Sequence, residues 1–467
     1  ILDPGCGTGI LSISLIEHLV KQKIKPLRIS LVLYETDLQI IPYLEKSINY
    51  LNTFLENKNI YFDYAIQTED FIAHNQDSIQ EKSDIPLFAS HSKDKFDFII
   101  ANPPYFKIAN SDPRSKICLQ IKSGQTNIYA LFLAISSYLV KRDGQLIFIT
   151  PRSFASGNYF KSFRKFLFSN LAIERIHLFS SRRSTFKKEK VLQETLIMSL
   201  CPMEKDKKNE FIHISSSEGL EDINQKSHRQ ISSDYIIDLK SKSSILHIPL
   251  NEYEEEIIRL FKFWHNKLSD FNIKISTGPV VAFRAKKYIS DSSNGSLNFA
   301  PLLWLHNVVP MKVIWPLEKK NKGQYIEVIE GATPLLLPNY NYVLLRRFSS
   351  KDDSQRLIAS PYYSEYFDHK KLGIENKLNY IWKTDGDLQK DLMVGLATLL
   401  NSKLFNNYFQ IFNGNVNVSS SEINDMSFPN LDAIIDIGKE TEKAKLHKTD
   451  PEYILNNYFE LLLKRTA

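Results

Sequence analysis

The stretch that decides the fold opens the chain: Leu2-Asp3-Pro4-Gly5-Cys6-Gly7-Thr8-Gly9 (LDPGCGTG, residues 2–9). It is typical of a β-strand that runs into a tight turn, because glycine adopts backbone angles that other residues avoid. The residues that follow, Ile10–Leu19, carry apolar side chains at helical spacing. We therefore predict a strand, a glycine turn and a helix in succession. A strand needs about five residues, so we expect this one to begin upstream of Ile1.

The same alternation continues to about residue 200. Short apolar runs predict strands at Ile29–Tyr34, Ile60–Tyr64, Phe96–Ala101, Gln145–Thr150 and Leu196–Leu200. Apolar residues spaced three and four apart predict helices at Ile10–Leu19, Leu38–Leu55, Ile128–Leu139 and Asn158–Leu167. Strands that alternate with helices predict an α/β fold, a mainly parallel sheet with helices on both faces. Ligands of such sheets bind at the carboxyl ends of the strands.

The sequence changes character after Pro202. Residues 203–244 are rich in Lys, Ser, Asp and Glu with little periodicity, which suits a connector or an irregular edge of the first domain. We place the boundary near residue 240 and predict two domains, 1–240 and 241–467. The second half has no further strand, glycine turn and helix unit, and we predict a mixed α+β domain that contains one long helix at Leu388–Phe412.

Composition excludes several classes of protein. With 467 residues, of which 43% are hydrophobic, the chain has enough apolar material for a sizeable core. Its net charge of +6 permits an anionic partner without requiring one. The three cysteines lie far apart, so we expect neither disulfides nor a zinc site, and no structural metal. We see no membrane-spanning run or secretory leader and expect a cytoplasmic protein.

The glycine turn predicts a ligand site with a particular charge. No lysine follows Gly9, so the turn does not fit the phosphate-binding loop GxxxxGK[ST]. An acid, Asp3, opens it, and Pro4, Gly5 and Gly7 complete it. A carboxylate favours a ligand with a cationic end, such as the amino group of a methionine moiety, over a pyrophosphate.

More acids stand at the ends of the next two predicted strands. Glu35 and Asp37 follow LVLY, where an acid can accept both hydroxyl groups of a ribose, and Asp70 follows the third strand with Phe71 beside it to contact an adenine ring. The alternative is structural: Asp3 and Asp70 cap helices and Glu35 is a solvated strand end. Acids at successive strand ends favour a nucleoside site.

The fourth strand ends in Asn102-Pro103-Pro104-Tyr105 (NPPY). Two prolines remove two backbone donors and restrict the backbone, which fixes the pose of Asn102. The Asn102 side-chain oxygen and the Pro103 carbonyl could each accept one N–H of an exocyclic amino group, so that its lone pair faces a methyl donor. Tyr105 offers a ring on which a planar substrate stacks. The alternative is a plain turn after a strand.

In this order, DPGCGTG, ETD, EDF and NPPY resemble the motifs of the gamma-class, N6-adenine DNA methyltransferases that use S-adenosylmethionine. Further stretches, including 125–154, 179–198, 275–288, 341–357 and 414–429, resemble the methyltransferases paired with PstI- and BsuBI-like restriction enzymes. The resemblance implies a Rossmann-like methyltransferase sheet followed by a target-recognition domain. It implies a cofactor site of Asp3, Pro4, Gly5, Gly7, Gly9, Glu35, Asp37, Asp70 and Phe71, with catalytic Asn102, Pro103, Pro104 and Tyr105. The family's segment that precedes the glycine loop is absent from this sequence.

The resemblance also implies an activity: site-specific methylation of adenine N6 in DNA, within a type II restriction-modification system. The target base must leave the duplex, and Phe186 would pack on its other face. The expected partners are double-stranded DNA and, genetically, a cognate restriction endonuclease, with the enzyme acting as a monomer. Basic residues predicted to contact DNA are Arg182, Arg183, Lys187, Lys188, Arg284, Lys286, Lys287, Arg346 and Arg347.

Two other functions fit the same residues. NPPY also serves methyltransferases that act on RNA or on a protein glutamine, although those enzymes are usually smaller. An inactive fragment of a restriction-modification locus is the third hypothesis. The intact NPPY disfavours it, whereas the missing segment before the glycine loop favours it.

Overall fold

The computed structural model describes most of the chain, and every structural statement below concerns these residues: 1–22, 26–80, 95–121, 126–180, 194–203, 210–219, 221–223, 227–238, 243–293, 296, 298–317, 319–320, 322–349, 355–414, 417–447 and 455–456. The chain divides into two units, Ile1–Leu250 and Asn251–Ala467.

The described residues of the first unit form one nine-stranded sheet. Its strands are β1 Leu2–Pro4, β2 Arg28–Tyr34, β3 Tyr61–Gln67, β4 Phe96–Ala101, β5 Val140–Pro151, β6 Leu171–Phe179, β7 Thr195–Pro202, β8 Phe211–Ser217 and β9 Ser227–Ser232. They lie in the order β3-β2-β1-β4-β5-β7-β6-β8-β9. The first five neighbours in this order pair in parallel, whereas β7 runs antiparallel to both β5 and β6. The predicted parallel α/β sheet is therefore present.

Helices cover this sheet on opposite faces. They are α1 Ile10–Lys21, α2 Ile41–Glu56, α3 Phe71–His74, α4 Asp77–Gln80, α5 Ile128–Leu139, α6 Lys161–Asn170 and α7 Ser233–Ile236. Leu31 and Leu33 of β2 pack in a cluster with α1 and α2, while Val32 and Tyr34 pack in the cluster that contains α5 and α6. Successive strand residues point to opposite faces, so this alternation places the two helix pairs on the two sides.

The second unit consists of short strands and longer helices. Its strands are β10 Ile273–Thr277, β11 Ile289–Ser290, β12 Phe299–Leu303, β13 Val308–Val309, β14 Lys312–Val313, β15 Tyr325–Glu327, β16 Leu336–Pro338, β17 Tyr342–Arg346, β18 Ala359–Tyr362, β19 Lys371–Ile374 and β20 Leu378–Lys383. Its helices are α8 Glu252–Phe263, α9 Ala282–Ala285, α10 Lys390–Asn401, α11 Lys403–Phe412, α12 Ser420–Asp425 and α13 Leu431–His447. A four-stranded sheet has the order β10-β20-β17-β18, and a five-stranded one has the order β11-β15-β12-β19-β16.

The structure corrects one expectation about secondary structure and adds detail at two other places. The single helix predicted at Leu388–Phe412 is two helices, α10 and α11, because Ser402 is extended and its Oγ caps α11 by accepting a hydrogen bond from Phe405 N. β6 was not predicted. The segment 203–244, which suits a connector or an irregular edge of the first domain, contains β8 and β9 and so lies at the edge of the sheet.

The units divide after Leu250 and not near residue 240, and a buried arginine accounts for this difference. Arg164 of α6 has no exposed surface, and its guanidinium donates to the carbonyl oxygens of Ser243 and Ser244 at 2.7–3.2 Å. It also donates to the carbonyls of Phe154, Ser156 and Gly157. The segment around Ser243 is therefore bound to α6 and belongs to the first unit.

No helix among the described residues is long and apolar enough to cross a membrane.

Candidate active site

The four predicted site segments meet at one edge of the first sheet. They follow the carboxyl ends of β1, β2, β3 and β4, which are consecutive in the order β3-β2-β1-β4. The chain passes from β1 to β2 and β3 on one side and then returns to β4 on the other side of β1. The sheet therefore has a topological switch point between β1 and β4. Ligands of open α/β sheets bind at such a point. The glycine loop leaves β1 there, and NPPY leaves β4.

The glycine loop depends on backbone angles that favour glycine. Gly5, Gly7 and Gly9 have φ values of 72°, 57° and 77°. A Cβ at position 9 would lie 2.8 Å from Leu44 Cδ1, whereas one at position 7 would meet nothing within 4 Å. The backbone at Gly7 thus faces open space, which a ligand could approach closely.

Asp3 lies beneath this loop, fully buried at the middle of β1. Its Oδ2 accepts a hydrogen bond from Ser12 Oγ, and its Oδ1 has no donor among the described residues. Burial raises the pKa of the Asp3 carboxyl to about 7, and the charge of nearby Glu35 adds to the rise. The site therefore contains a buried acceptor that a donor group could still satisfy. Pro4 ends β1 and is buried beside it.

Glu35 holds the glycine loop in place. Its Oε2 accepts a hydrogen bond from Gly7 N at 2.9 Å, and its Oε1 accepts one from Asp37 N at 2.8 Å. The predicted ribose acid is thus also a clamp that joins the ends of β1 and β2. Each carboxylate oxygen has a second lone pair that is available to a hydroxyl group. Asp37 is exposed and accepts a hydrogen bond from Gln39 N.

Asp70 caps α3 and makes an ion pair that the sequence did not suggest. Its Oδ1 accepts hydrogen bonds from Ile72 N and Ala73 N, the helix-capping role weighed above. Its Oδ2 accepts one from Arg114 Nη1 at 3.0 Å. Arg114 lies in the loop that follows NPPY, and its Nε and Nη2 bind both oxygens of Asp112. The guanidinium lowers the pKa of the Asp112 carboxyl, chiefly through these hydrogen bonds. Arg114 therefore connects the β3 end to the loop after β4.

Phe71 is a buried residue. It is 2% exposed, and its ring packs against Tyr34 and Phe132 with centroid distances of 5.1 Å to each. In this structure Phe71 is a core residue below the strand ends, and its contact with an adenine ring stays a prediction.

The NPPY segment presents one amide oxygen within a rigid turn. Asn102 is partly exposed, Pro103 is buried and Pro104 is exposed. The Tyr105 hydroxyl lies 2.5 Å from Asn102 Oδ1 and 3.1 Å from the carbonyl oxygen of Ile149 in β5. The Tyr105 ring meets the Tyr129 ring edge-on at 6.1 Å. The tyrosine therefore joins Asn102 to the neighbouring strand.

The residues predicted to contact DNA fall into three groups: outside the described residues, bound to backbone carbonyls, or exposed. Arg182, Arg183, Phe186, Lys187 and Lys188 lie outside the described residues. Arg346 Nε donates to the Val308 carbonyl at 2.7 Å, and Arg347 Nη1 donates to the Asn376 carbonyl at 3.1 Å, so both also support their own unit. Arg284, Lys286 and Lys287 are exposed.

A cavity of about 770 Å³ lies elsewhere, on the face of β5 to β9. Its polar side chains bind one another: Gln145 and Ser199 both donate to Glu174, and the His177 ring nitrogens pair with the Ser215 and Ser217 hydroxyls. It contains none of the predicted site residues. Among the described residues, no group of three or more His, Cys, Asp or Glu side chains could hold a metal ion.

Known proteins match this chain, some over nearly its whole length. The family described as Eco57I restriction-modification methylase matches residues 19–186. The type II methyltransferase M.PstI of Providencia stuartii is 30% identical over 99% of this chain and 88% of its own length. The chain belongs to the type II restriction-modification methyltransferases. M.BsuBI of Bacillus subtilis, another type II methyltransferase, is 31% identical over 94% of this chain and 84% of its own length.

A solved structure has the same fold as this methyltransferase. The Type IIL restriction-modification enzyme MmeI, determined in complex with DNA, aligns with a TM-score of 0.51 at 12% identity. The alignment covers 96% of this chain and 65% of that chain. At this identity the likeness concerns the fold alone.

S-adenosylmethionine is the cofactor of this methyltransferase, and the strand-end residues fit it. The glycine loop leaves open space at Gly7 for close backbone approach. Asp3 Oδ1 is a buried acceptor without a donor among the described residues, which suits the ligand's ammonium group. Glu35 lies beside the loop at the end of β2, where ribose hydroxyls bind in nucleotide-binding sheets.

Proposed function

We propose that this enzyme methylates the N6 amino group of adenine in double-stranded DNA, at a specific site. The observation that carries the proposal is the position of Asn102: it follows β4 next to the glycine loop after β1, at the switch point of the sheet. A methyl acceptor held at Asn102 would therefore lie beside a donor bound at the loop.

The chemistry of Asn102 suits an exocyclic amine. Such an amine has two N–H donors, which Asn102 Oδ1 and the Pro103 carbonyl can accept. An amide oxygen has two lone pairs, so Oδ1 accepts from the Tyr105 hydroxyl with one and keeps the other for the substrate. Two fixed acceptors orient the amine and direct its lone pair away from the protein, towards the donor.

The cofactor supplies a methyl group on a positively charged sulfur, which is an electrophile when bound. The residues of this chain bind and orient the reactants: Gly7 allows close approach, Glu35 accepts hydroxyl hydrogen bonds, and Asp3 offers a negative charge to the ammonium end. Asn102 and Pro103 hold the amine in line with the transferred group.

The cysteines favour an exocyclic amine over carbon 5 of cytosine, since methylation at a ring carbon needs a thiolate nucleophile. Cys118 is buried, and Cys6 is buried within the glycine loop, where burial raises the pKa of its thiol. Cys201 lies in β7, away from the four strand ends. The bases of DNA carry exocyclic amines at adenine N6, cytosine N4 and guanine N2, and the resemblance of NPPY to the adenine-specific class favours N6.

Access to the amine requires that the base leave the duplex, and Tyr105 supports a base in that position. Its ring is partly exposed beside Asn102, and stacking on such a ring is worth about 1–3 kcal/mol per base. We infer that the substrate is DNA, as the restriction-modification context suggests. A cognate restriction endonuclease would be the genetic partner.

The test is a product analysis with tritiated S-adenosylmethionine. The full chain is incubated separately with plasmid DNA, RNA and total protein, and the labelled DNA is digested to nucleosides that are identified by chromatography. The proposal expects label in DNA as N6-methyldeoxyadenosine, at one sequence found by mapping. N4-methyldeoxycytidine would overturn the choice of base, and label in RNA or in protein glutamine alone would overturn the choice of substrate.

Two alanine variants connect this activity to the site. Asn102→Ala removes the side-chain acceptor and should lower kcat by about 100-fold or more, because a fixed polar group at the reacting centre contributes on that scale. Asn49→Ala, on the exposed face of α2, is the matched control and should retain wild-type activity. An Asn102→Ala enzyme that methylates DNA at the normal rate would contradict the role of NPPY.

A further inference from the structure

The second unit presents an aromatic ring to solvent. Phe283 of α9 is 76% exposed, more than any other aromatic side chain among the described residues. Burial of a phenylalanine side chain stabilises a folded protein, and an exposed ring does not contribute this stabilisation. Single exposed apolar side chains are common on protein surfaces, so the surroundings of this ring decide whether it contacts a partner.

The residues around Phe283 alternate between core and solvent. Val280 and Ala285 are buried, and Ala282 and Tyr288 pack against the same apolar cluster as Trp304. Val281 is partly buried, and the remaining positions, Phe283, Arg284, Lys286 and Lys287, point outward and are exposed. The inward positions 282, 285 and 288 are three residues apart, so the outward ones lie on the opposite side of two consecutive helical turns, α9 and the 3-10 turn Lys286–Tyr288. Phe283 thus lies on the exposed side of a segment whose other side packs against the core.

The backbone before Phe283 is held on two sides. Val280 N donates to the Ile374 carbonyl at 3.0 Å, and Asn376 N donates to the Val280 carbonyl at 2.8 Å. Gly278 N donates to the Leu378 carbonyl at 2.8 Å, and a Cβ at Gly278 would lie 2.3 Å from the Glu375 oxygen. This close approach fixes the segment against the chain between β19 and β20. The ring is therefore presented on a fixed support.

Three positively charged residues follow Phe283 within four positions of the chain. The Arg284 guanidinium lies 5.3 Å from the Phe283 ring centroid, and the Lys287 ammonium lies 4.7 Å from that of Tyr288. Within the described residues, no carboxylate lies within ion-pair distance of Arg284, Lys286 or Lys287. Three cations within four residues attract a polyanion. The apolar ring beside them loses its contact with water only if that polyanion also offers an apolar surface. Stacked bases inside a phosphate backbone provide both.

We propose that Phe283 is a wedge that inserts between stacked bases of the DNA, while Arg284, Lys286 and Lys287 bind the flanking phosphates. This inference rests on the proposed function and adds a specific residue to it. Unstacking of a base step is unfavourable. An inserted aromatic ring stacks on the separated bases and so stabilises the distorted duplex that base extrusion requires. The cations would position the ring without reading sequence.

Binding measurements separate the ring from the charges. The probe is a short duplex that carries the mapped methylation site, and affinity is measured over a range of salt concentrations. Phe283→Ala should weaken binding by about 10-fold and leave the salt dependence unchanged, since the ring releases no counterions. Arg284→Gln and Lys287→Gln should each lower the slope of log K against log salt by about 1. Phe263→Ala removes a 52% exposed ring from α8 and is the matched control.

Fluorescence locates the insertion. 2-Aminopurine is placed in turn at each position of the duplex outside the methylated base, and unstacking raises its emission. The wild-type enzyme should raise the emission at one step, Phe283→Ala should abolish this rise, and Phe283→Trp should restore it. Thermal unfolding of each variant should match the wild type, because the ring makes few contacts in the free protein.

The outcomes keep the two proposals apart. If the wild type methylates adenine in DNA and Phe283→Ala retains wild-type affinity and emission, the wedge is overturned and the proposed function stands. A change of oligomeric state in Phe283→Ala with unchanged DNA binding would also overturn the wedge, because the ring would then serve a protein contact. If the wild type does not methylate DNA, the proposed function itself fails.

Discussion

The Tyr105 hydroxyl lies 2.5 Å from Asn102 Oδ1 and 3.1 Å from the Ile149 carbonyl oxygen. One hydroxyl proton serves two acceptors, so the tyrosine stands between the amide proposed to bind the substrate and the backbone of β5. The relationship gives Tyr105 a second role besides stacking. Its hydroxyl contacts the side chain of Asn102, and in the proposed function its ring supports the base.

Tyr105→Phe separates these two roles. The variant keeps the ring and loses the hydroxyl, so the DNA dissociation constant should change little, while kcat should fall by about 3- to 10-fold, the worth of one hydrogen bond. Tyr105→Ala should lower both kcat and DNA affinity, since it also removes the stacking surface. Single-turnover kinetics and equilibrium binding measure the two effects. Tyr43→Phe, at an exposed position of α2, is the control, and equal losses of binding and rate in Tyr105→Phe would contradict the positioning role.

The ligand-facing edge of the sheet was predictable because its signals are local. β4 and α5 have the predicted bounds, Phe96–Ala101 and Ile128–Leu139, since each is a continuous apolar or amphipathic run. The glycine turn and NPPY follow strands, and parallel strands bring such segments to one edge. β6 was missed because a register shift between Ile173 and Arg175 interrupts its alternation.

Other features depend on partners that are distant in the sequence. Arg114 binds Asp70 across 44 residues, and no local pattern predicts that pair. Phe283 is apolar and would be expected in the core from its residue type. The packing of Ala282 and Ala285 against the core shows that Phe283 points outward. The break in the predicted helix at 388–412 depends on Ser402, whose capping hydrogen bond outweighs an apolar pattern that continues through it.

The buried Asp3 carboxyl should make stability depend on pH. Its pKa rises from an ordinary 3.8 to about 7 in the folded protein, because burial disfavours the ionised form. The folded state therefore binds the proton more tightly than the unfolded state, and the free energy of unfolding should fall as pH rises from about 4 to 7. A shift of this size corresponds to about 4 kcal/mol in total.

Urea denaturation of the cofactor-free protein at pH 5 and pH 8 measures this effect. Asp3→Asn has no ionisable carboxyl, so its stability relative to wild type should be higher at pH 8 than at pH 5. Asp63→Asn, at a partly exposed carboxylate of β3, is the control for charge loss. A stability difference between Asp3→Asn and wild type that stays constant across this range would show that Asp3 is ionised throughout.

The same carboxyl should control cofactor affinity in the opposite direction. The ionised form attracts the ammonium end of S-adenosylmethionine, so affinity should increase as pH rises through about 7. Calorimetric titration with the cofactor at several pH values measures the dependence. Asp3→Asn should bind more weakly and lose the rise in this window, whereas a retained rise would assign it to another group.

The buried guanidinium of Arg164 should be essential for the stability of the first unit. Five carbonyl oxygens, of Phe154, Ser156, Gly157, Ser243 and Ser244, accept its hydrogen bonds. Arg164→Met keeps much of the side-chain volume and leaves these acceptors unpaired, which should cost about 3–5 kcal/mol. Lys165→Met, at the neighbouring exposed position, should change the free energy of unfolding by less than about 0.5 kcal/mol. Equal stability of the two variants would contradict the bridging role of Arg164.

The ion pair between Arg114 and Asp70 should strengthen cofactor binding, although Arg114 does not belong to the predicted motifs. The two side chains are about one-third exposed, so the pair contributes modestly, and Arg114→Gln should weaken S-adenosylmethionine binding by about 3- to 10-fold. Lys116→Gln removes an exposed cation from the same loop and should leave the affinity unchanged.

A double-mutant cycle with Asp70→Asn then isolates the pair: the losses should be less than additive, because the second substitution acts on an interaction already removed. Strictly additive losses would mean that Arg114 and Asp70 act on the cofactor independently.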